Sequence, residues 1–243
     1  LMLAWAGAVA TPAAAQSGAP ITVPPEPAGM IALFNSRDLQ GWDGNPKLWS
    51  VRNGLLRGET TPEIKTKGNT FIIWQGGEPA DFDLRLSFRV GPANNSGVQF
   101  RSRRVPAQPT DENRWVVAGY QAEVRNQGGQ AGLLYDERGK RGRMCRVGER
   151  NIWTSEGKKT AGKVGDAAAI AATFKTDDWN EYVIIAEGNH IRHYLNGVQT
   201  IEFTDDDKTN RRAAGIIALQ LHGGVPMWVE YKNIRLKQRA ARP

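Results

Sequence analysis

Asp81-Phe82-Asp83-Leu84-Arg85-Leu86-Ser87-Phe88-Arg89-Val90 decides the fold class. Phe82, Leu84, Leu86, Phe88 and Val90 occupy every second position, with charged or small polar residues between them, and a period of two is that of a β-strand. This spacing predicts one face in the core and the other in water. The same signature recurs further along the chain. Trp179 to Glu187 and His190 to Leu195 read as a hairpin across Gly188-Asn189, and Asn196-Gly197 is a tight-turn signal before Val198 to Phe203. Ala214 to Leu221 and Met227 to Leu236 supply two more strands. Helical spacing hardly exceeds two turns anywhere, and no strand-helix alternation is present. About a dozen strands without a parallel-sheet rhythm predict an all-β sandwich of two antiparallel sheets.

The chain has 243 residues, within the range that one β-sandwich fills, so a single domain is expected. Residues 1–15 open on Leu1-Met2-Leu3-Ala4-Trp5 and close on Ala13-Ala14-Ala15, and read as a secretory signal lacking its basic start. Residues 16–29 contain Pro20, Pro24, Pro25 and Pro27 and read as an extended linker. The folded domain is expected over 30–237 and a basic tail over 238–243. Export implies a periplasmic or secreted location. Cys145 is the only cysteine, so no internal disulfide can form and the core must supply the stability. The formal charge is +7, but Lys and Arg are scattered among Asp and Glu with no recognition helix or stacking motif, which argues against nucleic acid as a partner. No later run reaches the roughly 18 apolar residues of a membrane span. The sequence does not set an oligomeric state. Residues 103–118 and 138–168 are rich in Arg, Lys and Gly and are predicted as long loops.

Three segments place polar side chains where a central strand would present a plain solvent face. Gln99 and Arg101 alternate with Val98 and Phe100, Gln121 and Glu123 with Tyr120 and Ala122, and Gln220 and His222 with Leu219 and Leu221. If these strands are neighbours, their polar sides merge into one face. Amides and a guanidinium satisfy hydroxyl groups, while Glu123 and His222 can move protons. Tyr135, Asp136 and Glu137, in the segment from Gly132 to Arg141, could line the mouth of that face. Asp205-Asp206-Asp207 lacks the ligand spacing of a calcium loop and reads as a solvated turn. His190 and His193 fall on opposite sides of one strand, and no spacing ties Cys145 to a histidine. Serine-elbow, phosphate-loop and zinc-ligand motifs are absent.

Leu39-Gln40-Gly41-Trp42, Trp49-Ser50-Val51-Arg52-Asn53-Gly54, Asp81-Phe82-Asp83-Leu84, Asn95-Ser96-Gly97-Val98-Gln99-Phe100-Arg101, Gly119-Tyr120-Gln121-Ala122-Glu123, Leu134-Tyr135-Asp136-Glu137, Trp179-Asn180-Glu181-Tyr182, Leu195-Asn196-Gly197 and Leu219-Gln220-Leu221-His222-Gly223 together resemble the 3-keto-disaccharide hydrolase family. The resemblance implies a concanavalin A-like jelly roll acting on sugars whose C3 hydroxyl has been oxidised. It implies Glu123 or His222 as the proton-transfer group and Arg101 as the electrophile facing an enolate. Gln99, Gln121, Gln220, Tyr135, Asp136, Glu137 and Asn95 would orient the oxidised oligosaccharide or glycoside. A divalent metal ion could stand in for Arg101 as Lewis acid. The Glu-x-Asp-x-x-Glu strand of laminarinase-like glucanases is broken after Glu123. Two alternatives stay open at this point: a non-catalytic carbohydrate-binding module, and a sandwich that binds a partner through its loops.

Overall fold

The computed structural model describes residues 19–92, 94–105 and 112–239. The predicted signal segment, the first three linker residues and residues 240–243 of the predicted tail lie outside them. Strands follow one another in chain order as β1 (Ile31–Ala32), β2 (Trp42–Asp43), β3 (Trp49–Arg52), β4 (Leu55–Glu59), β5 (Thr70–Trp74), β6 (Asp81–Val90), β7 (Asn95–Arg104) and β8 (Val117–Arg125). The second half gives β9 (Leu134–Glu137), β10 (Arg143–Cys145), β11 (Glu149–Thr154), β12 (Gly157–Lys163), β13 (Asn180–Glu187), β14 (His190–Leu195), β15 (Val198–Asp205), β16 (Ile216–Leu221) and β17 (Trp228–Arg239). One short α-helix, α1 (Ala167–Ala171), is capped by Asp166, whose side chain accepts from the Ala169 amide at 2.8 Å. Among the described residues no helix is long and apolar enough to cross a membrane.

The strands form two sheets. The larger runs β12-β11-β15-β14-β13-β6-β17-β4-β3, with β1 added on β17, and the smaller runs β10-β9-β8-β7-β16-β5-β2. Every pairing is antiparallel except β11 with β15. The alternating residues of β6 point inward as their spacing requires, and Phe82, Leu84, Leu86 and Phe88 meet Val98, Phe100, Tyr120, Ala122, Leu219 and Leu221 of the smaller sheet. Phe82 and Phe100 cross between the sheets edge to face at 5.9 Å. The architecture is the predicted concanavalin A-like jelly-roll sandwich, with both sheets contributing one apolar face.

Several expectations are corrected. The reverse face of β6 is not wet: Asp83, Arg85 and Ser87 are buried. The proline-containing segment before β1 lies across it. Thr22 pairs with Val198, the Val23 amide donates to Gly197 O at 2.8 Å, and the Gln199 amide donates to Ile21 O at 2.8 Å. Proline has no N–H to give, but its carbonyl still accepts, and Arg85 Nη2 donates to Pro24 O at 3.0 Å and Pro25 O at 3.1 Å. Arg85 Nε reaches Asp83 at 2.8 Å, so the buried charge is paired. The described part of the predicted linker is therefore extended, yet docked on the sheet. Residues 138–168 are likewise not one loop but contain β10, β11 and β12. Their polarity suits a sheet edge, where exposed lysines such as Lys158 and Lys159 of β12 discourage pairing with another chain. In 103–118, β7 runs on to Arg104 and β8 begins at Val117. Arg104 and the Trp115 indole hold Asp43 at 2.8 and 2.7 Å, and residues 106–111 lie outside the description.

Candidate functional site

The face of the smaller sheet turned away from the core carries the predicted residues. Gln99 of β7 stands opposite Gln121 of β8, which stands opposite Tyr135 of β9. Two pairs further on, and so on the same face, Glu123 stands opposite Gly97. A Cβ on Gly97 would lie 2.3 Å from the Gln121 amide carbon, so the glycine makes room for that side chain. A cavity of about 250 Å³ opens here. From the predicted set it takes Asn95, Gln121, Glu123, Tyr135, Glu137, Gln220 and His222. It adds Asn69, Arg125, Leu133 and Arg143.

Two buried carboxyl groups dominate its electrostatics. Glu123 accepts from Gln121 Nε2 at 2.9 Å and from Arg125 Nε at 3.1 Å. Burial pushes its pKa above the usual glutamate range, against those two donors, and the nearby charge of Glu137 adds to the rise. Glu137 is raised too, by burial first, with Asn69 Nδ2 donating to it at 3.1 Å and opposing the shift. The Asn69 carbonyl in turn accepts from the Gly223 amide at 3.1 Å, which ties the segment before β5 to the loop after β16. His222 Nδ1 lies 2.6 Å from Gly223 O. A carbonyl can only accept, so Nδ1 carries the proton and Nε2 keeps its lone pair in the neutral ring. Arg143 forms no ion pair among the described residues and brings an exposed guanidinium to the rim.

Arg101 does not join this set. From Phe100 to Arg103 strand β7 advances three residues while β8 advances two, from Tyr120 to Ala118. The same extra residue shows against β16, where Ser102 pairs with Ile216 and Gln99 with Ala218. This is a β-bulge, with Arg101 at φ 45°, and one inserted residue sends a side chain to the opposite face. Arg101 consequently turns toward the other sheet. Its Nε donates to Ala80 O at 2.8 Å, Nη1 to Gly188 O at 2.6 Å and Nη2 to Asp81 at 3.0 Å. Glycines flank the bulge on both sides: a Cβ on Gly119 would sit 2.5 Å from Ser102 Oγ, and one on Gly215 2.4 Å from Ser102 O.

Asp136 also leaves the face, since it pairs with Tyr120 in register and is held by the Arg141 amide at 3.2 Å. Gln99 lies beneath the cavity rather than lining it. The expected solvated turn at Asp205 is corrected as well. Asp205 is fully buried and accepts from Tyr120 Oη at 2.5 Å and Arg141 Nη1 at 2.7 Å. Of the residues that sequence reasoning missed, Arg125 had a signal, standing two positions past Glu123 and thus on its face. Asn69 and Arg143 come from a loop and an edge strand, where no local pattern marks them. Among the described residues no three of His, Cys, Asp or Glu converge on a point that would hold a metal ion.

A family model described as the 3-keto-alpha-glucoside-1,2-lyase-like domain matches residues 29–237. No curated protein matches the chain. Among solved structures, two Parabacteroides distasonis ATCC 8503 proteins named as candidate glycosyl hydrolases are similar in fold. One is 18% identical with a TM-score of 0.54, covering 87% of this chain and 94% of its own. The other is 20% identical with a TM-score of 0.52, covering 86% and 99%. A Bacillus subtilis protein of unknown function with a galectin-like fold is 12% identical with a TM-score of 0.54, covering 84% and 92%.

Proposed function

The chain belongs to the 3-keto-alpha-glucoside-1,2-lyase-like domain family, and from that premise we propose that it cleaves 3-keto-glycosides by elimination followed by hydration. A ketone at C3 acidifies the C2 hydrogen. A base removes that proton to give the C2–C3 enolate; the enolate electrons then form the C1–C2 double bond as the C1–O bond breaks, and the departing oxygen takes a proton. Water adding its oxygen to C1 and a proton to C2 restores the keto sugar, so the sum is hydrolysis. The chemistry needs two proton-transfer groups and a donor for the enolate oxygen.

One observation carries the assignment: a buried glutamate and a histidine with a free ring nitrogen line the same sugar-sized polar cavity. Glu123, oriented by Gln121 and Arg125, is the base at C2. His222, with Nδ1–H held on Gly223 O, acts through Nε2: as the imidazolium it gives the Nε2 proton to the leaving oxygen, and the Nε2 lone pair so freed takes a proton from the water that adds at C1. The enolate donor passes from Arg101, which the bulge removes from the face, to the cavity guanidinium groups of Arg125 and Arg143. No step is routed through a metal ion. The proposal includes a periplasmic or secreted location, on the apolar opening residues and Ala13-Ala14-Ala15.

The test is aglycone release from a 3-keto-glucoside and from its unoxidised parent, with and without a chelator. Release from the keto sugar alone, indifferent to the chelator, is expected. Glu123→Gln and His222→Ala should each lower it by about 10²-fold or more while remaining folded. Wild-type turnover in both variants would sink the assignment. Sugar binding by the wild type without cleavage would leave a carbohydrate-binding module in its place.

A further inference from the structure

The amides under the cavity form a one-way chain. Ser102 Oγ donates to Gln99 Oε1 at 2.7 Å, and Gln99 Nε2 donates to Gln121 Oε1 at 2.7 Å. Gln220 Nε2 donates to the same Gln121 oxygen at 3.0 Å, and Gln121 Nε2 donates to Glu123 at 2.9 Å. The orientation of a glutamine amide is settled by its partners. As the base at C2, Glu123 is in its carboxylate form, ion-paired with Arg125 at 3.1 Å; a carboxylate can only accept, so Gln121 aims its nitrogen at it. Gln121 Oε1 is then an acceptor, and both Gln99 and Gln220 must turn their nitrogens toward it. One carboxylate thus fixes the sense of three amides.

What remains over is Gln220 Oε1. The residue is 1% exposed and lines the cavity, and this oxygen is buried with no hydrogen-bond partner. Its amide cannot rotate to relieve it without setting two nitrogens or two oxygens against each other in the chain below. Asn95 Oδ1, lining the same cavity, is the other buried oxygen there without a partner.

We propose that Gln220 Oε1 is a subsite that takes a hydroxyl donor of the substrate and refuses a carbonyl, so that it decides which way round a keto sugar lies. This rests on the reading of the cavity as a sugar site and deepens it. A ring hydroxyl can donate to Gln220 Oε1, whereas a ketone oxygen can only accept and is repelled there. The guanidinium groups of Arg125 and Arg143 carry donors only, and they are where the ketone oxygen finds partners. The cavity is polar in a directional sense, with an acceptor at one place and cationic donors at others. Gln220 is a specificity-determining residue in this account, and Gln99 and Ser102 position it through Gln121.

The test is calorimetric binding of a 3-keto-glucoside and its monodeoxy analogues, each lacking one remaining ring or exocyclic hydroxyl. Wild-type protein should bind one analogue about tenfold or more weakly than the parent, because the buried oxygen is then left without its donor. Gln220→Met, which keeps the length and removes the amide, should bind that analogue and the parent alike. The inference is overturned if every analogue binds wild type within about twofold of the parent, or if the discrimination persists in Gln220→Met. Should that variant fail to fold, the wild-type series alone decides. Turnover is read separately: binding discrimination without cleavage would defeat the elimination mechanism and leave the subsite standing.

Discussion

Glu137 shows how burial at a single residue links the cavity to stability. Its carboxyl has one neutral donor, Asn69, against the loss of water, and its pKa is raised. A raised carboxyl binds its proton more tightly in the folded chain than in the unfolded one. Its contribution to stability is therefore fully present below the ordinary glutamate pKa and is lost as pH rises through the raised value. Glu137→Gln removes the cost of ionisation. Urea unfolding should show a higher midpoint for the variant at about pH 7 and no gain at about pH 4. An equal gain at both values would mean that the shift has another cause. At this scale much of the site was legible, because Gln121 with Glu123 and Gln220 with His222 sit two apart on single strands, and alternation alone puts each pair on one face. Arg101 was not, because the same alternation fails when a strand holds an extra residue.

The element that defeats the alternation is the bulge in β7. Its neighbours on both sides are the close-approach glycines Gly119 and Gly215, and both are visible in the sequence, but a glycine in a strand marks a bulge, a bend or a backbone contact without saying which. The bulge trades a cavity cation for an interior one. Arg101 is 1% exposed, and among the described residues Asp81 is its only anionic partner in an ion pair. Removing that partner leaves a buried charge unpaired, so Asp81→Ala should destabilise the fold by about 3–5 kcal/mol. Denaturant unfolding measures this directly, and a loss under about 1 kcal/mol would show that the carbonyl groups of Ala80 and Gly188 suffice to hold the guanidinium. Strands β10 and β12, each at the edge of its sheet, escaped the sequence reading for a different reason, and β11, paired between β12 and β15, has only one fully buried residue to mark it. An edge strand has one open side and, in β12, residues exposed on both faces, so neither a period of two nor an apolar run distinguishes it from a loop.

The whole molecule was legible to the extent that burial dictates pattern. Strands with one core face, β6 and β13 to β17, announced themselves, and their number with the lack of helical spacing sufficed for a two-sheet sandwich. The docking of the proline-containing segment on β6 was hidden, since extended proline-rich chain reads the same in solvent and against a sheet. In the assembled molecule the two sheets divide the work. The larger supports the core with Phe82, Leu84, Leu86 and Phe88. The smaller turns its other side to a polar cavity whose carboxyls, histidine and guanidinium groups come from β8, β9 and β10 and from the loop after β16, with the Asn69 amide added from the segment before β5.

The central claim is removal of a proton from C2, and deuterium reads it directly. A 3-keto-glucoside is cleaved in D2O, and the early product is analysed by mass spectrometry and NMR against the same keto sugar incubated without protein. The account predicts one deuterium at C2 in the enzymatic product, well above the uncatalysed exchange, because hydration of the enone must take its C2 proton from solvent. Cleavage with C2 still carrying its original hydrogen would mean direct displacement at C1 and would contradict the elimination mechanism.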